Sequence, residues 1–452
     1  MLKRTLVGLL IVLPSTSTSA SASGPPDVAI ATAVDAHAAA AIADRRWFHQ
    51  HPELGNQEVE TAARIAATLA ELGYEVETEV GVTGVMGLLD TGRPGPTVAI
   101  RADMDGLPVV EATDTANPVR SLNEGVMHAC GHDVHMGVGL GVARVLKDLS
   151  PRLNGRILML FQPAEEGIPA QEKKALLAAT GSDRVGANRL VHDEKVLERY
   201  EVDAIFGLHG FPSEPAGVLA MLPEYALASS DSFELVIRGR SAHAGLAPWT
   251  GSDVLHIAAG VVQEMHALPA RRTDTRYPKV VSVSMLDCTD GRTNILCRTA
   301  TLSGTVRTYR PEDKIDIRRE IAVILDAAVK KRDPDAGECE EGGDPDTLCW
   351  EIQTYDNYGP PVHQDPELLE WATGVLRDAM GPERVPSVPP SLGAEDYAYY
   401  CEEIPCAFFA LGTEPEGGTG GLHTPTYAPD ESSIAVGMRG LATLAVRYLT
   451  RE

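Results

Sequence analysis

Apolar and polar positions along this chain follow two periods, and the switches between them divide it into elements. Residues 27–50 place small and aliphatic side chains three and four apart, the spacing of one helix face, and residues 58–73 repeat the pattern before Gly73 stops it. Short β-rich runs follow at 84–89 and 97–102 (TVAIRA). Residues 135–149 read as helix, 156–161 (RILMLF) as a buried strand and 204–208 (AIFGL) as another. Continuous apolar runs on strands that alternate with helices predict an α/β fold, a central and mostly parallel sheet flanked by helices.

The pattern changes near Leu227. Residues 232–237 (SFELVI), 280–285 and 300–308 alternate with period two, while 254–266 and 313–330 return to helical spacing. This β-α-β-β-α order predicts an inserted α+β module of ferredoxin-like type. A Gly/Asp/Pro-rich stretch at 333–346 and Tyr358-Gly359-Pro360-Pro361 bound it. Helix 366–380, strand 407–411 and helix 432–448 then resume the earlier character. The expected organisation is a catalytic domain in two parts, 23–226 and 356–452, interrupted by a module at 227–355.

The first 22 residues stand apart. Lys3 and Arg4 precede an apolar stretch at 5–13 and a Ser/Thr/Ala-rich segment, the layout of an export signal, so a periplasmic or secreted protein is expected. The apolar stretch is too short to span a bilayer as a mature helix, and no membrane partner is expected. Hydrophobic content of 44% and charged content of 23% are ordinary for a globular protein. A net charge of −25, with no basic run beyond Lys330-Lys331-Arg332, argues against nucleic acid as a partner.

Seven cysteines fit an exported chain. Six fall in sequence-local pairs, Cys288/Cys297, Cys339/Cys349 and Cys401/Cys406, and local disulfides are expected. Cys130 is left over, inside Met127-His128-Ala129-Cys130-Gly131-His132-Asp133-Val134-His135. Cys130 and His132, two apart, can face one side of an extended or turning backbone, and a thiolate beside an imidazole suits a zinc-like cation. By itself the nonapeptide reads equally as a His-rich loop or a buried thiol near surface histidines. Four further segments place polar residues where apolar strands end: Arg101-Ala102-Asp103-Met104-Asp105-Gly106, Gln162-Pro163-Ala164-Glu165-Glu166-Gly167, Gly207-Leu208-His209-Gly210 and Gly421-Leu422-His423-Thr424-Pro425.

The ordered segments RADMDGLPV, GVMHACGHDVHM, FQPAEEG, AIFGLHG, SAHAGLAP, GTVR, GAEDY and GLHTP resemble the dinuclear metallo-aminoacylase/carboxypeptidase family. The likeness is to its amidohydrolase branch of hippurate hydrolases and indole-acetyl-amino-acid hydrolases, and it runs from about Asp44 to Tyr448. It implies hydrolysis of the amide in N-acyl amino acids or short peptides, with Cys130, His132, Glu166, His209 and His423 as ligands of two divalent metals. Zn2+ is the first expectation, and Mn2+, Co2+ or Ni2+ are accepted by relatives. Glu165 becomes the general base, Asp103 a carboxylate that orients the site, and His128, Asp133 and His135 supporting residues. His243 is implied as oxyanion support and Asn294 and Arg307 as neighbours of the substrate carboxylate. The inserted module matches the family's lid, through which a homodimer is expected.

The chain departs from the family in three places. Cys297 stands in Asn294-Ile295-Leu296-Cys297 where a proline is usual, residues 168–202 are longer and richer in charge, and the loop at 333–349 is enlarged. The lengthened segment would shape the pocket rim or stand as a surface elaboration. Two other readings compete with the metal hydrolase. In one, Cys130 is a thiol nucleophile paired with His132 or His135, which leaves Glu165, Glu166, His209 and His423 without work. The other is a non-catalytic metal-binding homologue, although neither the base nor any ligand is missing.

Overall fold

The computed structural model describes residues 26–451, apart from 115–116 and 289. The proposed export signal at 1–22 lies outside these described residues. The chain opens with helices α1 (Pro26–Gln50) and α2 (Val59–Glu71), then strands β1 (Glu75–Val80), β2 (Gly84–Asp90) and β3 (Thr97–Asp103). Helix α3 (His132–Leu149), strand β4 (Arg156–Gln162), helices α4 (Ala170–Thr180), α5 (Gly186–His192) and α6 (Val196–Arg199), and strand β5 (Ala204–Pro215) follow. Next come β6 (Leu219–Met221), β7 (Tyr225–Leu227), β8 (Ser230–Arg238), α7 (Val254–Arg271), β9 (Lys279–Asp287), β10 (Thr299–Thr308), α8 (Pro311–Lys330), β11 (Gly337–Glu338) and β12 (Cys349–Gly359). The last elements are β13 (Val362–His363), α9 (Pro366–Met380), α10 (Ala398–Glu403), β14 (Cys406–Glu414) and α11 (Ser433–Leu449).

The larger sheet has seven strands in the order β1-β2-β4-β3-β5-β14-β6. Its centre, β4, β3, β5 and β14, is parallel, and the pairings at both edges are antiparallel. The sheet is therefore mixed, with the expected parallel arrangement confined to the middle. Strand periodicity explains why those runs are apolar throughout. Val98, Ile100 and Ala102 of β3 point into one core with α1, α3, α9 and α11, whereas Ala99 joins the core under α5, α6 and α10. Ile157, Met159 and Phe161 of β4 alternate with Leu158 and Leu160 in the same way. Helices cover both faces, so only the strand ends are left for polar chemistry, and parallel strands end on one edge.

A second sheet, β11-β12-β8-β10-β9, packs its apolar face under α7 and α8 around Phe233, Leu235, Ile257, Val261, Leu302, Ile317 and Ile321. Here the strands alternate because the other face is partly exposed. The cysteines pair locally as Cys288–Cys297, Cys339–Cys349 and Cys401–Cys406, with Cα atoms 6.0, 4.9 and 5.2 Å apart, and Cys130 is free and buried. The first of these closes the turn between β9 and β10, where the sequence lacks the family's proline. Among the described residues no helix is long and apolar enough to cross a membrane.

Candidate active site

The nonapeptide folds as a turn followed directly by a helix. Gly131 has φ +87°, and α3 begins at His132, three residues earlier than periodicity indicates. A Cβ on Gly131 would lie 2.8 Å from the Tyr427 hydroxyl, so glycine is required for space as well as for its left-handed backbone. This turn separates Cys130 from His132 yet leaves both buried at the end of the parallel strands. The first helical turn also carries Asp133, whose charge suits a helix N-terminus.

Four other segments converge there. The Cys130 Sγ lies 3.3 Å from His209 Nε2 on β5 and 3.2 Å from His423 Nε2. His423 Nε2 is 2.9 Å from Glu166 Oε1. Cys130, His132 and His209 form one group of potential ligand atoms within 4.8 Å of one another, and Cys130, Glu166 and His423 form a second. The thiol belongs to both. The structure thus brings together all five residues that the family resemblance singles out as ligands, in two overlapping groups joined at sulfur.

Backbone conformation sets the aim of these side chains. Ala164 adopts φ +51° and Gly167 φ +83°, so the strand geometry is broken just before the two consecutive glutamates. The amide of Ala164 donates to Glu58 (2.8 Å) and that of Glu166 to Asp105 Oδ2 (2.9 Å). His423 also has positive φ, +62°, and its amide donates to Ala129 O at 2.8 Å, which ties the late loop to the nonapeptide. Non-glycine residues in the left-handed region are costly, and these two sit beside the cluster.

The ring nitrogens test whether a cation suits this site. His132 Nδ1 donates to the Asp105 carbonyl (2.8 Å) and approaches Oδ1 (3.2 Å), while its Nε2 is buried without a hydrogen-bond partner. His209 Nδ1 donates to Gly210 O (2.8 Å), turning Nε2 toward Cys130. One nitrogen anchored and the other free for a cation is how histidines hold metals. Burial opposes charge on His132, but Asp103 and its Asp105 partner raise it well above its ordinary value, so a cation at Nε2 would take the place of a proton. Burial pushes His209 down to about 3, so its ring is neutral, as a ligand must be. Burial, then the Glu166 carboxylate, push the Cys130 thiol well above its ordinary value, an environment that a positive ion would relieve. The donor set and the donor-free His132 Nε2 therefore fit a thiolate-imidazole metal site.

The remaining candidates divide. Asp103, at the end of β3, accepts from Arg101 Nη1 (2.5 Å) and from His135 Nδ1 (2.6 Å). Burial opposes its charge, but Arg101, His132 and His135 hold it well below the carboxylate range. His135 uses both nitrogens, since Nε2 accepts from the Gly210 amide at 2.8 Å. Asp133 turns away from the cluster to Arg45 and His49, and His128 is buried with both nitrogens unpartnered. Glu165 Oε2 is 3.7 Å from His132 Nε2, and burial followed by Glu395 and Glu166 raises Glu165 well above the usual range. Arg307 of β10 lines a cavity of about 510 Å³ with Cys130, Glu165, Glu166, His209 and His423. His243 and Asn294 are not in that lining; they are exposed neighbours, with the Ala244 amide donating to Asn294 O at 2.9 Å.

Several participants stand in segments whose sequence assigned them no role of their own. Asp105, two residues beyond Asp103, is the partner of His132. Glu395 and Asp396 of the GAEDY segment accept from the fully buried Arg101 at 2.8 and 3.2 Å. Tyr358, in a segment read only as a boundary, donates to Glu165 Oε1 at 2.6 Å. The lengthened segment at 168–202 carries α4, which buries no residue, and α5, which does. With Glu165, Glu166 and Tyr358 it walls a second cavity of about 770 Å³. It therefore belongs to the rim.

The pattern of the peptidase family M20/M25/M40 matches residues 99–447. A protein named as a hydrolase in Synechocystis sp. is 35% identical over 413 residues, covering 89% of this chain and 94% of that protein. The IAA-amino acid hydrolase ILR1-like 2 of Arabidopsis thaliana is 32% identical over 409 residues, 90% of this chain and 85% of its own. Among solved structures, the Bacillus subtilis YXEP protein, described as a dinuclear metal binding peptidase of the M20 family, superposes with a TM-score of 0.73 at 30% identity. It covers 92% of this chain and 99% of its own. The chain belongs to the M20/M25/M40 peptidase family and is an enzyme that hydrolyses amide bonds.

Proposed function

From membership of that family as premise, we propose that this enzyme cleaves the amide bond of N-acyl amino acids, with Cys130, His132, Glu166, His209 and His423 holding two divalent cations. The observation that supports this reading most is the sharing of Cys130 between two ligand groups, one of which contains the buried, donor-free His132 Nε2. Thiolate with imidazole favours Zn2+, and the same set accepts Mn2+, Co2+ or Ni2+. When bound, the ions polarise the substrate carbonyl and make a water more acidic. Glu165 takes the proton of the attacking water as its oxygen joins the carbonyl carbon, then delivers it to the nitrogen as the C–N bond breaks. Asp103 keeps His135 oriented beside His209.

Arg307 meets the carboxylate of the amino acid within the cavity. His243 supports the oxyanion and Asn294 the substrate carboxylate; because both lie outside their own chain's cavity lining, their use calls for a homodimer built through the module at 227–355. The segment at 1–22 directs the enzyme to the periplasm or beyond. A panel of N-acyl amino acids and dipeptides on metal-reconstituted protein, read by release of free amine, tests the reading. Turnover should vanish with a chelator and return with added Zn2+ or Mn2+. A chelator-resistant rate would sink the metal reading in favour of the Cys130 nucleophile.

A further inference from the structure

The aim of Glu165 is set from the smaller sheet. Strand β12 pairs antiparallel with β8, and its register slips near its end: residue 357 faces Asp231 and Gly359 faces Ser230, so Tyr358 is an extra residue with no partner on β8. A bulge of this kind re-aims the extra side chain. Here it turns Tyr358 out of its own sheet toward the strand-end cluster of the other. Its hydroxyl lies 2.6 Å from Glu165 Oε1 and 2.5 Å from the Glu165 carbonyl oxygen, so one phenolic proton bridges two acceptors of the same residue. The Tyr358 carbonyl in turn accepts from the Tyr399 hydroxyl at 3.3 Å, which steadies the bulge from the larger domain's side.

We propose that Tyr358 is a positioning residue for the reaction: it grips Glu165 Oε1 and so leaves Oε2 as the oxygen presented toward His132. This rests on the function proposed above. The need for such a grip follows from the sequence. Glu165 and Glu166 are neighbours with separate tasks, and the break in strand geometry at Ala164 leaves the direction of the first one open. No other side chain of the described residues donates to Glu165 among the hydrogen bonds of the structure. Without the phenol no donor opposes the push of the neighbouring carboxylates of Glu166, Glu395 and Asp396, and His132 Nε2 at 3.7 Å does not hold Oε2 by itself. Tyr358 also lines both cavities, together with Glu165 and Glu166, and the phenol–carboxylate pair stands where they meet. Because Tyr358 sits where the chain leaves the smaller sheet, the seating of that sheet and the direction of the base are one geometric variable.

The test is Tyr358→Phe in the full-length, metal-reconstituted enzyme. We expect kcat to fall about 10- to 100-fold with KM within about threefold, the pattern of a lost transition-state interaction. Two metals per chain and the thermal midpoint should be retained, and a crystal structure of the variant should show the Glu165 carboxylate turned away from His132. In a Glu165→Gln background the same change should alter the residual rate by less than about twofold. The inference is overturned by a Tyr358→Phe variant with wild-type kcat, by loss of metal in that variant, or by an equal loss in the Glu165→Gln background. If the wild type turns over no conjugate, the proposed function itself fails and this inference with it; a working wild type matched by Tyr358→Phe sinks the inference alone.

Discussion

Two polar networks grow from the same nine residues and are built on opposite principles. On one side, His132 presents a buried ring nitrogen without a hydrogen-bond partner, and Cys130 a sulfur flanked by the Nε2 atoms of His209 and His423, beside Glu166. On the other, Asp133 is saturated: Oδ2 meets Arg45 Nε at 2.8 Å and His49 Nδ1 at 2.9 Å, and Oδ1 accepts from the Val134 amide. Cys130, His132 and His209 are buried, as are Asp133, Arg45 and His49, so both networks carry a desolvation cost, although Glu166 is half-buried and His423 exposed. The Arg45 network returns it internally, by pairing a buried cation with a buried anion. The cluster around Cys130 pairs Glu166 with His423 at 2.9 Å but leaves the buried thiol and His132 Nε2 to be completed by a cation. Adjacent residues at a helix start point about 100° apart, which is enough to send His132 and Asp133 into different networks.

Four experiments test this contrast. The largest effect is expected from Glu165→Ala, which should lower kcat by about 10²- to 10⁴-fold, the span of general base catalysis, with metal content near two per chain. Full activity in that variant would remove Glu165 from the reaction. His132→Ala should release metal and slow turnover with it, while the metal-free thermal midpoint falls only by the loss of the Nδ1 bond to Asp105 and of the ring's packing, because Nε2 contributes no internal bond. If the metal-free protein instead unfolds, the two networks are not separable. Asp133→Asn should do the reverse. Losing the Asp133 charge leaves Glu431, 3.3 Å from Nη1, as the remaining carboxylate on buried Arg45 and should cost up to about 3–5 kcal/mol in denaturant unfolding, while metal stoichiometry is kept.

The smallest effect concerns Glu58, at the start of α2, whose carboxyl accepts from Thr83 and from the Ala164 amide. Burial, then the charge of Asp105, raises it to about 8. A raised acid binds its proton more tightly when folded, so its contribution is complete below the unfolded value of 4.5 and is lost as pH climbs toward 8. The thermal midpoint of chelator-treated protein should therefore decline between those limits. Glu58→Gln, whose oxygen can accept from the Ala164 amide while its NH2 donates to the Thr83 hydroxyl, removes the charge and should flatten that decline; an unchanged slope would assign it to other groups.

Much of this molecule was legible locally. The apolar runs at β3, β4 and β5 announced a sheet buried on both faces, and alternation at β8 and β10 announced one that is not. Cysteines separated by few residues paired with each other. Ordered motifs pointed to Cys130, His132, Glu166, His209 and His423, which the fold does gather. The helix start at His132 was missed because a glycine with positive φ makes the first turn without the usual capping residue. Asp105 was passed over because an aspartate at a strand end carries no mark of what it will bind. Tyr358 was invisible, since its role depends on a register slip that a pairing partner defines.

Periodicity and cysteine spacing are properties of neighbouring residues, so they mark the elements and the local disulfides in the chain alone, while the side chains that gather at the strand ends were implied by the likeness of its ordered motifs to a family. Direction is another matter. Which nitrogen of His132 is tied down, which way Glu165 faces and which network receives Asp133 depend on the left-handed turns at Gly131 and Ala164, the bulge at Tyr358 and partners such as Arg45 and Asp105. Those are decided by segments far apart in the chain, because a side chain's aim is fixed only when something distant holds its other end.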